Sequence, residues 1–506
     1  MAQRSRGTVI LLVLVAVTAV AMIVPAAVGF TLREHESARA FLYSAFLLAS
    51  FTALIYLANK SRKPRERLIS HPFFVLSAAY VLLPVLMSIP LTEAVPGLRF
   101  ADAWFEMLSS FTTTGATLLD NPVPRSVHLW RAIVGWLGGL FVLVYVIAIL
   151  APMNMGGFEV LAVRNERQTA GPALSKQLLS EDNNAAAPDA TLQRLRLQVG
   201  LIAPLYAGLT LLLWVALSIA GNPPLVALIL AMSALSTSGI VPGPGWDVAA
   251  LTFSSEFLLL VFLVLGLSRT FWLAGARGHG ARLNWRQIEL TFAGVLLAGL
   301  CGLFVLGFAF GDDGNSLNRF LRELWSVVFN GLSFLTTTGF ISSATDLRSG
   351  FFAGPAGIVL LGLALIGGGV ATTAGGLKLM RIFALMWQAK YELQHLVHPA
   401  AVGGDGAHMR GLRTEGAFSA WLFLLIFILG LGLVMAALSI LGSTMEDALS
   451  YAVAALTTTG PLVQIAGSVP LTWTELGDAQ RAVLGAGMLL GRLEFLLLLS
   501  VLWPRS

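Results

Sequence analysis

The chain has 506 residues, 56% of them hydrophobic and 12% charged, with a formal charge of +5 and a mean hydropathy of +0.79. Soluble chains carry about 25% charged residues, so a string of soluble domains is excluded in favour of one bilayer-embedded, all-α body. The single cysteine, Cys301, lies in an apolar run, which excludes a disulfide framework and a thiolate metal site.

Apolar stretches of the roughly 20 residues needed to cross a bilayer fall near 8–30, 41–59, 72–91, 128–151, 197–220, 254–276, 288–310, 352–387, 417–441 and 481–503, which predicts ten spans. Arg4 and Arg6 before the first would suit a cleaved signal peptide, but its apolar core outruns the usual 7–15 residues, so a retained helix is expected. With a cytoplasmic N-terminus the inner connections hold 21 Lys/Arg against 10 Asp/Glu, and the outer ones 9 against 16. The bias of Lys and Arg obeys the positive-inside rule. An acidic outer face would also draw cations to an entrance, although topology alone explains most of the same bias.

Between the spans one short motif returns four times: Thr112-Thr113-Thr114-Gly115, Ser236-Thr237-Ser238-Gly239, Thr336-Thr337-Thr338-Gly339 and Thr457-Thr458-Thr459-Gly460. The copies lie 124, 100 and 121 residues apart, each on the outer side between two spans. Each follows an apolar segment of roughly 9–14 residues, which as a helix reaches only about 14–21 Å and must re-enter rather than cross. The chain therefore reads as two leading helices (1–70), a first helix/half-helix/loop/helix unit (71–160), a cytoplasmic connector (161–196), and three further units (197–280, 281–395, 396–506). One such turn would signify little, since small residues are common where membrane helices cross. Four in equivalent positions form an internal repeat.

Irregular backbone at membrane depth needs partners, supplied by protein or by a water- or ion-filled cavity. Four loops that turn their carbonyls inward replace a cation's hydration shell, as in a selectivity filter. The glycine after each Thr pair allows torsions that a residue with Cβ resists, and threonine hydroxyls add oxygen ligands without charge. Half-helices running inward also aim their partially negative C-terminal ends at the centre, which favours a cation. The filter residues read this way are Thr113, Thr114 and Gly115; Thr237, Ser238 and Gly239; Thr337, Thr338 and Gly339; and Thr458, Thr459 and Gly460.

Two further motifs lie at membrane depth. "GGGVATTAGGLKLMR" (367–381) contains Gly367, Gly368, Gly369, Gly375 and Gly376 and is followed by Lys378. Each glycine weakens a helix by about 1 kcal/mol relative to alanine. The segment is either a close-packed helix crossing or a break in the helix below the filter. "GRLEF" (491–495) puts Arg492 about 16 Å below the outer end of the last span. A buried arginine there faces a cavity or pairs with an acid such as Glu494. Arg269, also within a span, reads as structural.

With these residues in view, the chain resembles the superfamily of potassium transporters that contains the bacterial TrkH and KtrB subunits, over about 72–503. The two leading helices make it most similar to the TrkH branch. The resemblance implies a pseudo-tetramer of four repeats around one pore, with potassium as substrate and no cofactor. In that superfamily a glycine in all four loops goes with potassium, and a serine in the first loop with sodium; Gly115, Gly239, Gly339 and Gly460 are all present. Ser236 and Ser238 depart from the threonine pattern and leave relative selectivity open. The resemblance further implies a Gly-rich gate ending at Lys378, an arginine (Arg492) projecting toward it, a homodimer in the bacterial inner membrane, and a cytosolic TrkA-like nucleotide-binding partner.

Other signals are weak. His395 and His398 lack the H-E-x-x-H pattern and a carboxylate partner for a metal, the Gly-rich stretch follows no Rossmann strand, and nothing points to nucleic acid. An intramembrane enzyme is disfavoured because no acid pair or nucleophile-base set recurs at membrane depth. An alternating-access carrier is disfavoured because the repeats share one orientation rather than being inverted. The expectation is a cation transporter and not an enzyme.

Overall fold

The computed structural model describes residues 6–60, 72–119, 122–151, 188–243, 252–268, 271–272, 288–310, 317–345, 351–353, 357–398, 417–467 and 470–493. Among the described residues the structure is helical with no strand. Seven helices among the described residues are long and apolar enough to cross a membrane: Val9–Thr31, His35–Ala58, Val75–Ala94, Arg125–Leu150, Gln193–Ile219, Ile288–Ala309 and Ala417–Ile440. The other three expected spans are described only in part. The stretch from 254 is a short helix, Phe253–Leu263, closed by a 3-10 turn at Val264–Gly266. The stretch 352–387 is two helices with a non-helical segment between them, and the last runs Asp478–Leu493 to the end of the described residues.

In chain order the leading pair is α1 (Arg6–Ala21), α2 (Ile23–Thr31) and α3 (His35–Lys60), where α1 and α2 share one span. Then come α4 (Pro72–Ala94), α5 (Phe100–Phe111), α6 (Arg125–Tyr145), α7 (Pro188–Ile219), α8 (Pro224–Ser236), α9 (Phe253–Leu263), α10 (Ile288–Phe310), α11 (Leu317–Leu335), α12 (Gly357–Ile366), α13 (Leu379–Val397), α14 (Ala417–Ile440), α15 (Met445–Leu456) and α16 (Asp478–Leu493). α6 ends in a π-helical turn, Val146–Leu150.

The four short helices each pack between the helix before and the helix after: α5 between α4 and α6, α8 between α7 and α9, α11 between α10 and α12, α15 between α14 and α16. Neighbouring groups join through α6 on α8, α9 on α11, α12 on α15 and α16 on α5, which closes a circle. The leading pair attaches outside it, with α3 on α4 and α2 on α6.

Three short helices have the expected length, but α11 has 19 residues. At 1.5 Å per residue that is about 28 Å, so length alone does not make it re-enter. Its first turns carry Arg319, Arg322 and Glu323, and Arg319 pairs with Glu323 at 2.8 Å. A charged start of this kind belongs at an interface, and only the later turns are buried.

Burial follows a bilayer solvent. Large apolar side chains such as Phe46, Leu306 and Ile428 are exposed on the outer surface, while Glu106, Arg131, Glu256, Glu289 and Asn330 are enclosed. Lipid tails reward the first, and only internal hydrogen bonds make the second tolerable.

Candidate functional site

All four short helices end in the same way. The second residue of each motif is left-handed: Thr113 (φ 56°), Thr237 (51°), Thr337 (56°) and Thr458 (54°). The next amide reaches back five residues, from Thr114 to Ser109 O (2.8 Å), Ser238 to Ser233 O (3.0 Å), Thr338 to Ser333 O (2.9 Å) and Thr459 to Ala454 O (2.8 Å). The left-handed residue's own amide donates three back, to the carbonyls of Ser110, Ala234, Phe334 and Ala455. These nested bonds make a Schellman cap, a turn usually built on glycine. A threonine there costs about 1–2 kcal/mol, and strain held at four matching positions is the mark of a functional constraint.

The hydroxyls hold this geometry. The first and third residues of each motif pair side chain to side chain: Thr112 with Thr114 (2.8 Å), Ser236 with Ser238 (3.0 Å), Thr336 with Thr338 (3.0 Å) and Thr457 with Thr459 (3.1 Å). The first hydroxyl also donates back to its own helix, as Thr112 does to Leu108 O and Thr457 to Val453 O, both at 2.8 Å. These positions need a hydroxyl, not a methyl, which explains why serines replace threonines at 236 and 238. The hydroxyls expected as extra ligands are therefore mostly occupied. Among the described residues only the Thr113 and Thr458 hydroxyls in the turns lack a partner.

The turns meet in a ring. A Cβ on Gly115 would fall under 3.0 Å from Ser238 O, one on Gly239 under 3.0 Å from Thr338 O, and one on Gly460 under 3.0 Å from Thr114 O. A Cβ on Gly339 would stand 3.1 Å from the ring of Pro461, the next residue of the fourth loop. Loop one thus abuts two, two abuts three, three abuts four and four abuts one. Gly115, Gly239 and Gly339 are also left-handed, at φ 76°, 64° and 81°. Gly460 is not: it starts a 3-10 turn, Gly460–Gln464. The expectation that every motif glycine supplies an unusual torsion is corrected here, since close approach alone explains Gly460.

Two of the outgoing limbs are braced by their own short helix. Glu106 Oε2 accepts from Leu118 N (2.8 Å), and Asn330 Oδ1 accepts from Ser342 N (2.9 Å). Both side chains stand six residues before the first motif residue, where loops two and four have Leu230 and Tyr451. Glu106 also forms a buried ion pair with Arg131 at 2.5 Å. Glu256 of α9 accepts from Trp325 Nε1 (2.6 Å), Ser342 Oγ (2.8 Å) and Ser343 N (2.6 Å), tying α9 to the limb after loop three.

Next to this ring lies the glycine segment. Helix α12 stops at Ile366 and α13 starts at Leu379, with Gly367, Ala371, Gly376 and Lys378 left-handed between them. The segment is a break, as the functional reading expects, and not a continuous helix crossing. Gly369 N donates to Gly266 O (3.2 Å), Val370 N to Glu289 Oε1 (3.0 Å) and Gly375 N to the Thr337 hydroxyl (2.7 Å). Thr373 Oγ1 donates to Leu235 O (3.2 Å). Gly368 gives its carbonyl to Leu379 N (3.0 Å). A Cβ on Gly375 would collide with Thr457 O. The segment therefore leans on loops two, three and four.

Arg492 is buried and donates from Nη1 to Thr373 O at 2.7 Å, so it touches the glycine segment itself. Lys378 Nζ donates to Ala374 O within the segment. A small cavity separates them from the first group of helices, lined by Tyr80, Tyr145 and Val146 on one side and by Ala371, Gly375 and Arg492 on the other. Arg269 and Glu494 lie outside the described residues. His398 is an exposed residue at the end of α13, and among the described residues no group of His, Cys, Asp and Glu could hold a metal.

At the start of α5, Arg99 bridges Asp102 (2.9 Å) and Asp478 (2.6 Å), and Arg481 reaches Asp102 (2.6 Å). The Arg99 hydrogen bond holds the exposed Asp478 carboxyl below its ordinary range. Sequence reasoning missed this clamp between α5 and α16, as well as Glu106, Asn330, Glu289 and Trp473. Aligning the four copies would have exposed Glu106 and Asn330; the others carry no local signal.

Comparison with known proteins gives one consistent picture. The family described as "TrkH: Cation transport protein" matches residues 37–240 and 320–503. The Trk system potassium uptake protein TrkI of Halomonas elongata is 30% identical, over 98% of this chain and 95% of its own. The Trk system potassium uptake protein TrkH of Escherichia coli K12 is 28% identical, over 96% and 95%. The crystal structure of the potassium transporter TrkH from Vibrio parahaemolyticus superposes with a TM-score of 0.78 at 25% identity, covering 100% of this chain and 99% of that one.

Proposed function

The chain belongs to the TrkH family of cation transport proteins, and from that premise we propose that it takes up potassium across the bacterial inner membrane through a filter made by its four Thr-rich turns. The observation that carries this reading is the ring itself: four left-handed threonines at one register, with each turn abutting the next. A left-handed residue in each turn bends the chain sharply enough for loop carbonyls to face a common axis. Four such turns around an axis offer stacked oxygens in place of water, which is how a filter dehydrates a cation. The helix ends behind them add partial negative charge. The four groups of helices act as quarters of one pseudo-tetrameric pore.

Thr113, Thr114 and Gly115 with their counterparts in the other loops line this filter. Gly367–Lys378 is the gate, and Arg492 keeps it across the path through its bond to Thr373. Gating needs a ligand that binds open and closed states with different affinity, and a cytosolic TrkA-like ring docked on the basic inner loops of a homodimer would supply it.

The test is cation flux in liposomes containing the purified protein under imposed gradients. Potassium uptake well above sodium uptake is expected, rising or falling with nucleotide when a cognate ring protein co-purifies. Equal or preferential sodium uptake would replace potassium by the sodium-conducting alternative. Flux indifferent to nucleotide in a demonstrated complex would remove the partner mechanism.

A further inference from the structure

Loop four is built unlike the other three, and the difference falls where its turn meets the neighbouring loops. Gly115, Gly239 and Gly339 are left-handed, whereas Gly460 enters a 3-10 turn. Its amide donates to Thr114 O at 2.6 Å. Its carbonyl is taken by Trp473, whose Nε1 donates to it at 3.2 Å. Trp473 is buried and packed between Phe105 of α5 (5.9 Å between ring centroids) and Tyr451 of α15 (5.3 Å). The Tyr451 hydroxyl donates to Thr472 O at 2.5 Å and fixes the strand of chain that carries the indole. Beyond Gly460, the Pro461 ring rests against both Gly239 and Gly339, at 3.1 Å from where either glycine would bear a Cβ.

We infer that Pro461 is a specificity-determining residue of the cation path and that Trp473 is its positioning residue, an inference that rests on the filter reading above. A proline has no amide hydrogen, so at this position it cannot bond to the facing carbonyls and close the turns together. It acts as a rigid spacer instead. Its ring reaches from loop four to loop three beside it and to loop two opposite, and sets how closely loop four can approach those two glycines. Trp473 holds the spacer in register by gripping the carbonyl immediately before it. A fixed width favours the larger dehydrated ion, because walls that cannot draw in leave a smaller ion under-coordinated. With the ring gone, loop four can draw in toward loops two and three and accept sodium.

The experiment compares the wild type, Pro461→Ala and Trp473→Phe in proteoliposomes, reading potassium and sodium uptake separately. Trp473→Phe keeps an aromatic ring between Phe105 and Tyr451 while removing the N–H together with part of the indole's volume. The potassium-to-sodium ratio is expected to fall by about fivefold for Trp473→Phe, the scale of one hydrogen bond, and further for Pro461→Ala. A purely structural role would lower both fluxes together and leave the ratio at its wild-type value, which overturns the inference. Should Pro461→Ala fail to fold, Trp473→Phe decides alone. A wild type with no potassium preference would defeat the potassium reading on which the inference rests, a different failure from a selective wild type whose variants keep its ratio.

Discussion

The Thr-rich turns and the glycine segment 367–378 are both irregular backbone buried at membrane depth, yet they are held in opposite ways. Each turn largely satisfies itself: the amides of its second and third residues return to its own short helix and its first and third hydroxyls bond to each other, while the Gly460 amide reaches a neighbouring turn, at Thr114 O. The glycine segment borrows its partners from Gly266, Glu289, Thr337, Leu235 and Arg492, all on other elements. Self-satisfied backbone keeps its shape whatever its neighbours do. Backbone with borrowed partners can exchange them, provided the new state offers equivalents. On the proposed reading the turns suit a rigid filter and the glycine segment a gate that exchanges partners, with the cavity beside Tyr80 and Tyr145 next to the segment.

Several perturbations press on that contrast, the largest first. Deleting Ala371–Ala374 removes the acceptor of Arg492 and the core of the gate; basal potassium flux should rise about tenfold, the effect of shifting a two-state gate by about 1.4 kcal/mol. Flux no higher than wild type in folded protein would return the segment to a packing role. Thr337→Val keeps the branched shape but removes the hydroxyl that accepts from Gly375 N. One hydrogen bond is worth about 1 kcal/mol, so basal flux should rise about fivefold with the potassium-to-sodium ratio kept; a changed ratio would show that gate and filter are not separable at this residue.

Smaller effects sharpen the account of the turns. Ser238→Thr retains the hydroxyl and should change thermal stability in detergent by less than about 0.5 kcal/mol, whereas Ser238→Ala loses bonds to Ser233 and Ser236 and should cost about 1 kcal/mol. Equal behaviour of the two would mean that the hydroxyl ladder is incidental. The outer clamp should matter least. Asp478 has its folded pKa depressed by Arg99, so its contribution is present above the unfolded carboxylate pKa and is lost as pH falls through the folded value. Both partners are exposed, and salt should screen the effect. A melting temperature that falls slightly on acidification in wild type, and less in Asp478→Asn, is the expected record.

Much of this was legible because the chain repeats itself: four turns with one spelling outweigh any single motif, and five glycines in ten residues are hard to reconcile with a continuous helix. What stayed hidden has physical causes. α11 runs longer than its apolar stretch because Arg319, Arg322 and Glu323 sit at its start, and hydropathy registers charge rather than helicity. Gly460 spells like its counterparts but is required for approach to Thr114 rather than for its torsion, and spelling does not distinguish the two. Trp473 bonds to Gly460 from thirteen residues downstream, in a stretch with no periodicity to announce it. The residue that closes each helix in the left-handed cap position is the threonine two places before the glycine, where the usual rule for helix ends would put the glycine itself.

The central claim is that the closed ring of four turns discriminates among cations, and the glycines that permit the ring to close are its most exposed point. A serine at Gly115 would meet Ser238 O and adopt a strained torsion at φ 76°. The decisive measurement is the potassium-to-sodium uptake ratio of Gly115→Ser, Gly239→Ser, Gly339→Ser and Gly460→Ser in cells lacking other potassium transporters. The ratio is predicted to fall in all four variants. An unchanged ratio in variants that reach the membrane and still transport would contradict the assignment of the turns as the filter.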